Sequence, residues 1–186
     1  LDFNAPDRSG KLVAPWIIQS KATKILIDHH QQPDEFDYVY SDTSVPATAQ
    51  MVYHFIEALE QEQNVNLDVA ECLYTGIMTD TGGFRFRSTS AKTHCIIARL
   101  IEKGADPSLI SSNTWDTNTI SRFHLLALIL GRIEVVHDGK AAIIYLRRDE
   151  LQEYGFEKGD TDGFVNYGLS ILGVKVSAFF MEDLYE

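Results

Sequence analysis

The chain has 186 residues, 45% of them hydrophobic and 11% aromatic, with a formal net charge of −11. That length and composition suit one large domain or two small ones with a substantial core. A protein that follows long DNA or RNA should be basic, so this acidic balance excludes a long duplex as the partner. No apolar run in the sequence approaches the roughly 20 residues that span a bilayer, so no membrane partner is expected. A phosphorylated ligand would need a local source of positive charge, and bound metal ions are one such source.

The first part of the chain predicts helices on either side of two short strands. Residues 24–28 contain a continuous apolar run, and residues 36–40 alternate and are rich in aromatics, which is typical of strands. Apolar periodicity predicts the helices, with Asp68 and Ser90 as expected N-caps and glycines as stop signals. The predicted helices cover residues 11–20, 47–61, 68–80, 90–104 and 107–115.

The pattern changes in the region of residues 116–130, where we expect a domain boundary. Residues 119–133 predict an apolar helix that is long enough to bridge two domains. Gly159–Phe164 resembles part of a calcium loop but is too short and lacks the distal Glu, so a helix cap and a turn are expected there. The remaining predicted elements are strands at 132–138, 140–148 and 174–182 and a helix over 160–173.

The two cysteines, Cys72 and Cys95, bear on the compartment in which the protein works. They form no CxxC pair and fall in helix-like segments, which is typical of reduced core residues. Reduced thiols favour a cytoplasmic location, and a disulfide between the two cysteines is the less favoured alternative.

Three adjacent groups, Asp28, His29 and His30, follow the first aliphatic strand directly. In open α/β sheets, ligands bind at the carboxyl ends of the strands. A strand alternates its side chains, so three consecutive residues cannot all point into the core. A single histidine here would most simply be a hydrogen-bonded loop residue, but the Asp-His-His run predicts a metal or phosphate site.

Two further carboxylates fall at the ends of predicted elements. Asp80 ends a predicted helix, where the helix dipole disfavours a carboxylate by about 0.3–1 kcal/mol and a nearby cation would reverse that sign. The alternative is a turn aspartate satisfied by Thr79 and Thr81. Asp2 follows what looks like the end of a strand, and its alternative is an ordinary chain end.

Two arginines follow Asp80 closely along the chain. Arg85 and Arg87 alternate with Phe84 and Phe86, so the arginines are expected to share one face. Paired guanidinium groups can clamp a phosphate. They can equally be solvated residues at an edge, and the sequence favours neither interpretation.

The stretches LDFN, ILIDHH and TDTGGFRF, in this order and spacing, resemble motifs of the DHH phosphoesterase superfamily. Its members include RecJ-like exonucleases, family II pyrophosphatases, cyclic dinucleotide phosphodiesterases and nanoRNases. Nearly the whole chain is similar to the RecJ-like subgroup of nanoRNases and adenosine 3′,5′-bisphosphate (pAp) phosphatases, which is related to exopolyphosphatases. The resemblance implies an α/β fold in which part of a parallel-sheet DHH domain (residues 1–118) is joined by a long helix (119–133) to part of a smaller mixed α/β domain of DHHA1 type (134–186).

The resemblance also implies roles for the motif residues. Asp2, His29 and Asp80 match the family's metal ligands, and His30 matches the histidine that contacts the scissile phosphate. Asp28 resembles the residue that orients the histidine pair. The expected cofactor is a pair of Mn²⁺ ions, with Mg²⁺ or Co²⁺ as alternatives. Two such cations activate a water and clamp the attacking and leaving oxygens of a phosphoryl transfer.

Two family motifs have no counterpart in this chain: the first metal motif and a distal Gly-Gly-Gly-His motif that binds substrate. The chain is therefore expected to be an incomplete part of a metal-dependent hydrolase. The expected function is hydrolysis of short oligonucleotides or pAp, which would also be the partners. The alternatives are an exopolyphosphatase or inorganic pyrophosphatase and a non-catalytic fragment that binds nucleotides. A homodimer is compatible with the sequence.

Overall fold

The structure, a computed structural model, describes residues 1–183. The chain divides into two units, of which the first is Leu1–Thr114 and the second begins at Trp115. Each unit has its own sheet and its own cluster of buried apolar side chains. The expected mixed α/β fold with parallel strand pairing is confirmed, whereas the joining role of the long helix stays a prediction.

The first unit is organised around two parallel strands. β1 (Ile25–Asp28) pairs with β2 (Tyr38–Ser41), and Asp28 lies opposite Ser41 at their carboxyl ends. Leu26 and Ile27 are buried, which explains why this short aliphatic run forms a strand that ends at a polar residue. The helices are α1 (Ala14–Gln19), α2 (Thr48–Ala58), α3 (Leu67–Asp80), α4 (Ala91–Glu102) and α5 (Pro107–Trp115).

The core of the first unit forms where α2, α3 and α4 meet. Ile77 of α3 and Leu100 of α4 are both fully buried in it. A Cβ added to Gly76 would lie only 2.7 Å from the Cβ of Ala49, so glycine at this position lets α2 and α3 approach closely. The close packing fixes the C-terminal end of α3, where Asp80 lies.

The two helix caps that the sequence suggested have different outcomes. Ser90 is the N-cap of α4 as expected, and its hydroxyl accepts the N–H of Thr93 at 3.2 Å. The prediction of Asp68 as the cap of α3 is wrong, because Asn66 accepts the N–H of Val69 at 3.0 Å instead. Both Asn and Asp are good caps, so the pattern alone left the choice between them open.

The second unit contains a three-stranded sheet in which β3 (Glu134–Val136), β4 (Ala141–Leu146) and β5 (Val176–Met181) lie side by side in that order. β3 and β4 are antiparallel, whereas β4 and β5 are parallel. The predicted long helix is α6 (Ile120–Gly131), which begins after its N-cap Thr119 and packs on this sheet through Leu125 and Ile129. The other helices of this unit are α7 (Arg148–Glu153) and α8 (Val165–Leu169).

The strand predicted over residues 140–148 ends at Leu146, and an unpredicted helix, α7, follows it. The buried carboxylate of Glu150 accepts the backbone N–H of Arg147 at 2.9 Å, which starts the helix. The same carboxylate receives both terminal nitrogens of Arg132, at 2.9 and 2.6 Å. These hydrogen bonds lower the pKa of Glu150, because they stabilise its ionised form.

The helix predicted over residues 160–173 is shorter, because its first residues form the expected turn. The Arg122 guanidinium donates to the carbonyl of Asp160 at 2.6 Å and to that of Asp162 at 2.8 Å. The Asp160 carboxylate accepts the hydroxyl of Thr119 at 3.0 Å and the N–H of Glu157 at 2.9 Å. An arginine therefore satisfies the carbonyls of the segment that resembles a calcium loop.

The cysteines correct one expectation. Cys72 and Cys95 are both free, but both are exposed, so their assignment to the core is wrong. In the part of the chain that the structure describes, no helix combines the length and the apolar character that crossing a bilayer requires.

Candidate active site

The carboxyl end of β1 positions the Asp-His-His run. Asp28 is the last strand residue and is completely buried, while His29 and His30 are half-buried in the turn that follows. Asp42, directly after β2, donates its N–H to the carbonyl of Asp28 at 3.3 Å. The two strand ends are thus tied together at the edge that the sequence identified as the ligand edge.

Asp28 holds His30 through two hydrogen bonds. The Nδ1 of His30 lies 2.7 Å from one oxygen of the carboxylate, and its backbone N–H donates to the other at 3.1 Å. An ionised carboxylate only accepts hydrogen bonds, so the Nδ1 of His30 carries the proton and its Nε2 keeps the lone pair. The structure therefore supports an orienting geometry for Asp28 toward His30.

His29 is oriented by a different partner. Its Nδ1 lies 3.2 Å from the backbone carbonyl of Val45. A carbonyl oxygen only accepts, so Nδ1 is the protonated nitrogen and Nε2 carries the lone pair. A histidine whose far nitrogen donates to a carbonyl in this way is the arrangement in which imidazole binds a metal.

The loop that supplies the Val45 carbonyl is shaped by Asp42. One oxygen of its carboxylate accepts the hydroxyl of Ser44 at 2.6 Å and the N–H of Ser44 at 2.9 Å. These bonds hold the pKa of Asp42 below its ordinary value. Val45 and Asp42 were not among the predicted site residues, because a backbone carbonyl leaves no trace in a sequence.

Asp2 and Asp80 reach the histidines from two other places in the first unit. Asp2 lies outside any strand, in contrast to the strand end that the sequence suggested, and has a φ of 62°. Its backbone N–H donates to the carbonyl of Ile27 at 3.2 Å, which fixes it beside β1. Asp80 is the last residue of α3, as predicted.

The structure brings the three predicted metal ligands together. The Nε2 of His29 lies 3.8 Å from a carboxylate oxygen of Asp2 and 3.7 Å from one of Asp80. Both distances are too long for hydrogen bonds. Bonds from a metal to carboxylate or imidazole are about 2.0–2.2 Å, so two ligands of one ion lie up to about 4.4 Å apart. Asp2 and Asp80 therefore each lie at a distance from His29 that two ligands of one divalent cation can have.

The electrostatics of Asp80 agree with that fit. Burial raises the pKa of Asp80 above its ordinary value, and the negative charge of Asp2 raises it further. The neighbouring His29 and His30 act in the opposite direction. A cation shared by Asp2 and Asp80 would remove their repulsion and would suit the C-terminal end of a helix.

His30 also lies near Asp2, with its Nδ1 4.0 Å from a carboxylate oxygen. By distance alone, Asp2, His29 and His30 form a cluster of potential metal ligands, with their donor atoms within 4.8 Å of one another. The Nδ1 of His30 is already bound to Asp28 at 2.7 Å, however. The Nε2 of His30 can still bind a cation, as that of His29 can, so by geometry both Asp80 and His30 are candidates for the third ligand, and the family resemblance assigns that place to Asp80.

The arginines do not lie as predicted. Arg85 and Arg87 are exposed and belong to a turn after α3, so the argument that strand alternation gives them one common face is wrong. The N–H groups of Arg85 and Phe86 both bond to the carbonyl of Thr81, at 3.1 Å each, which curls the segment. A role of the arginines in substrate binding stays a prediction.

The site and the fold agree with a known family. Residues 1–77 match the DHH family, N-terminal domain. This match covers β1 and the Asp-His-His run, so the resemblance of the motifs to the DHH family is confirmed over residues 1–77.

The chain is also similar to proteins with named activities. The chain is 28% identical over 166 residues to the bifunctional oligoribonuclease and PAP phosphatase NrnA of Bacillus subtilis, covering 88% of this chain and 52% of that protein. It is 31% identical to the protein of the same name from Thermus thermophilus, covering 83% and 46% of the two chains. The chain thus spans about half the length of the curated relatives it matches.

A solved structure shares the fold. It is the crystal structure of an exopolyphosphatase-related protein from Bacteroides fragilis, with a TM-score of 0.92 and 35% identity. The match covers 98% of this chain and 54% of that one.

Proposed function

We propose that this chain belongs to a phosphoesterase that uses Mn²⁺ to hydrolyse short oligonucleotides, pAp or both. The observation that carries the proposal is the convergence of Asp2, His29 and Asp80 beside His30. Carboxylate and imidazole ligands in one set suit Mn²⁺, with Mg²⁺ or Co²⁺ as alternatives. The family match supports a hydrolase of this class.

In this proposal, Asp2, His29 and Asp80 hold the metal. When bound, divalent ions supply positive charge for the phosphate and lower the pKa of a water. Val45 keeps His29 in the tautomer whose Nε2 can bind a cation. The local positive charge explains how a chain with a net charge of −11 can bind a phosphate.

His30 acts on the substrate phosphate rather than on the metal. Asp28 fixes the proton on Nδ1 of His30 and thereby sets the orientation of the ring. The Nε2 of His30 can then accept or donate a hydrogen bond at a phosphoryl oxygen, or exchange a proton with it. Asp28 is a positioning residue in this scheme, since its buried carboxylate touches His30 and not the substrate.

The choice of substrate rests on the relatives. Two of them are named as bifunctional oligoribonucleases and PAP phosphatases, and the acidic surface disfavours long duplexes. To test the proposal, the full-length protein is given Mn²⁺ and offered, separately, a dinucleotide, a pentanucleotide, pAp and a long duplex. Turnover of the short substrates or pAp, without degradation of the duplex, is expected. Tight binding or processing of the duplex at about 0.15 M salt would refute the substrate class.

A second candidate substrate class follows from the structural neighbour, which is described as exopolyphosphatase-related. Polyphosphate and pyrophosphate present the same phosphoryl groups to a metal site but lack a nucleobase. The same assay therefore includes both compounds. Turnover of pyrophosphate or polyphosphate alone would replace the nucleotide proposal by this one.

A further inference from the structure

An exposed aromatic ring is held in a fixed place just beyond the end of α3. Phe86 is 43% exposed, although its backbone is firmly anchored. Its N–H donates to the carbonyl of Thr81 at 3.1 Å. Thr81 is itself buried, and its hydroxyl donates to the carbonyl of Ile77 at 2.7 Å and accepts the N–H of Phe84 at 3.0 Å. The turn that carries the ring is thus built into the end of the helix.

The ring of Phe86 packs against Gly82 in the turn after α3, and we call this contact surface the seat of the ring. A Cβ added there would lie 2.6 Å from Cζ of Phe86, closer than side chains approach one another. Gly82 also has a φ of 59°, which disfavours other residues. The bare backbone therefore lets the ring lie directly against the turn, and the ring keeps its position without being buried.

The seat lies close to the cluster of Asp2, His29 and Asp80. Gly82 follows Asp80 by two residues, so their Cα atoms are at most about 7.6 Å apart. The ring of Phe86 packs against Gly82, two residues along the chain from the proposed metal ligand Asp80. The Arg85 guanidinium carbon lies over the ring, 5.6 Å from its centre, which places a positive charge on one face of the ring.

From this placement we propose that Phe86 stacks on a base of the substrate whose phosphate lies at the Asp2, His29 and Asp80 cluster. The inference rests on the proposed function and adds a residue that distinguishes nucleotides from phosphates without a base. Every base has a π-face, so a stacking ring binds nucleotides without regard to sequence. The half-exposed ring and its rigid seat suit that task, because little conformational freedom is lost on binding.

The test measures binding apart from turnover. The ligands are a dinucleotide with a non-hydrolysable linkage and the same compound without its bases, each titrated into the full-length protein with Mn²⁺. Phe86→Ala should weaken binding of the dinucleotide about 5- to 150-fold, the range of a lost base stack, and leave the affinity for the abasic compound within about twofold. Phe86→Trp should retain the affinity, and the fluorescence of the introduced indole should be quenched by the dinucleotide but not by the abasic compound.

Phe55 provides a matched control, because it is an aromatic residue of the same 43% exposure on α2. Phe55→Ala should bind both ligands as the wild type does. Equal weakening of both ligands by Phe86→Ala, or no weakening of either, would overturn the stacking role. A protein that binds the non-hydrolysable dinucleotide through Phe86 but does not cleave an ordinary dinucleotide in the presence of Mn²⁺ would refute the proposed function and uphold the stacking. A wild type that binds neither ligand would refute both.

Discussion

Replacing Asp28 by Asn tests whether this carboxylate orients His30. The side chain is completely buried and accepts both the Nδ1–H and the backbone N–H of His30, at 2.7 and 3.1 Å. An amide has one acceptor oxygen and one donor nitrogen, so Asn can satisfy only one of the two donors. The other donor then faces an NH₂ group, or the ring changes its tautomer.

Asp28→Asn should change both the free energy of unfolding and kcat, and the size of each change can be estimated. A buried donor left without an acceptor costs about 1–3 kcal/mol, which should appear as a lower free energy of unfolding. A misplaced or wrongly protonated His30 should lower kcat by about 10²- to 10⁴-fold, the usual contribution of an acid–base or electrostatic group. The amount of bound Mn²⁺ should stay nearly unchanged, because Asp28 is not among the proposed ligands.

The assay follows kcat for a dinucleotide, bound Mn²⁺ and chemical denaturation in the same preparations of the full-length protein. Asp68→Asn serves as the control, since it removes an equal charge from an exposed position on α3. It should leave kcat and metal content as in the wild type. An unchanged kcat in Asp28→Asn would refute the orienting role. A parallel loss of Mn²⁺ and activity would show that Asp28 is a metal ligand instead.

Two further predictions concern the stability of the second unit. Glu150→Gln should lower the free energy of unfolding by about 2 kcal/mol at neutral pH, because charged hydrogen bonds to Arg132 are lost. The pKa of Glu150 is lowered in the fold, so this stability is present above the unfolded pKa of about 4.3 and lost as the pH falls through the folded pKa. Chemical denaturation at several pH values should show that the difference in free energy of unfolding between Glu150→Gln and the wild type becomes smaller in acid. A difference that does not change with pH, or an equal loss in the exposed control Glu153→Gln, would contradict this. Arg122→Met should lower the free energy of unfolding by about 2–3 kcal/mol in the same measurement. Arg122→Lys should recover only part of that loss, because an ammonium group cannot reach both carbonyls, and full recovery by lysine would contradict the bidentate geometry.

The sequence predicted the parts of the site that depend on local pattern. The aliphatic run before Asp28 predicted β1, and the change of residue type at its end predicted the ligand edge. Asp80 was expected at the end of a helix, and α3 does end there. These predictions succeed because strand alternation and helix periodicity are set by neighbours along the chain.

Features that depend on contacts between distant segments were missed. The carbonyl of Val45 contacts His29 although the two residues are 16 positions apart, and no side chain in the sequence indicates this contact. The FRFR alternation suggested an extended segment, but the hydrogen bonds of Arg85 and Phe86 to the carbonyl of Thr81 override that local preference. α7 was missed because the carboxylate that starts it, Glu150, is held by hydrogen bonds from Arg132, which precedes β3 and is distant in sequence.

The central claim is that Asp2, His29 and Asp80 hold a divalent metal, and Mn²⁺ titration of His29→Ala tests it most directly. The control is His124→Ala, which removes an exposed imidazole from α6 in the second unit. Calorimetric titration of the full-length proteins should show Mn²⁺ affinity reduced more than about 10-fold in His29→Ala, since a ligand should matter at least as much as the groups that orient it. His124→Ala should match the wild type. Wild-type Mn²⁺ affinity in His29→Ala would contradict the claim.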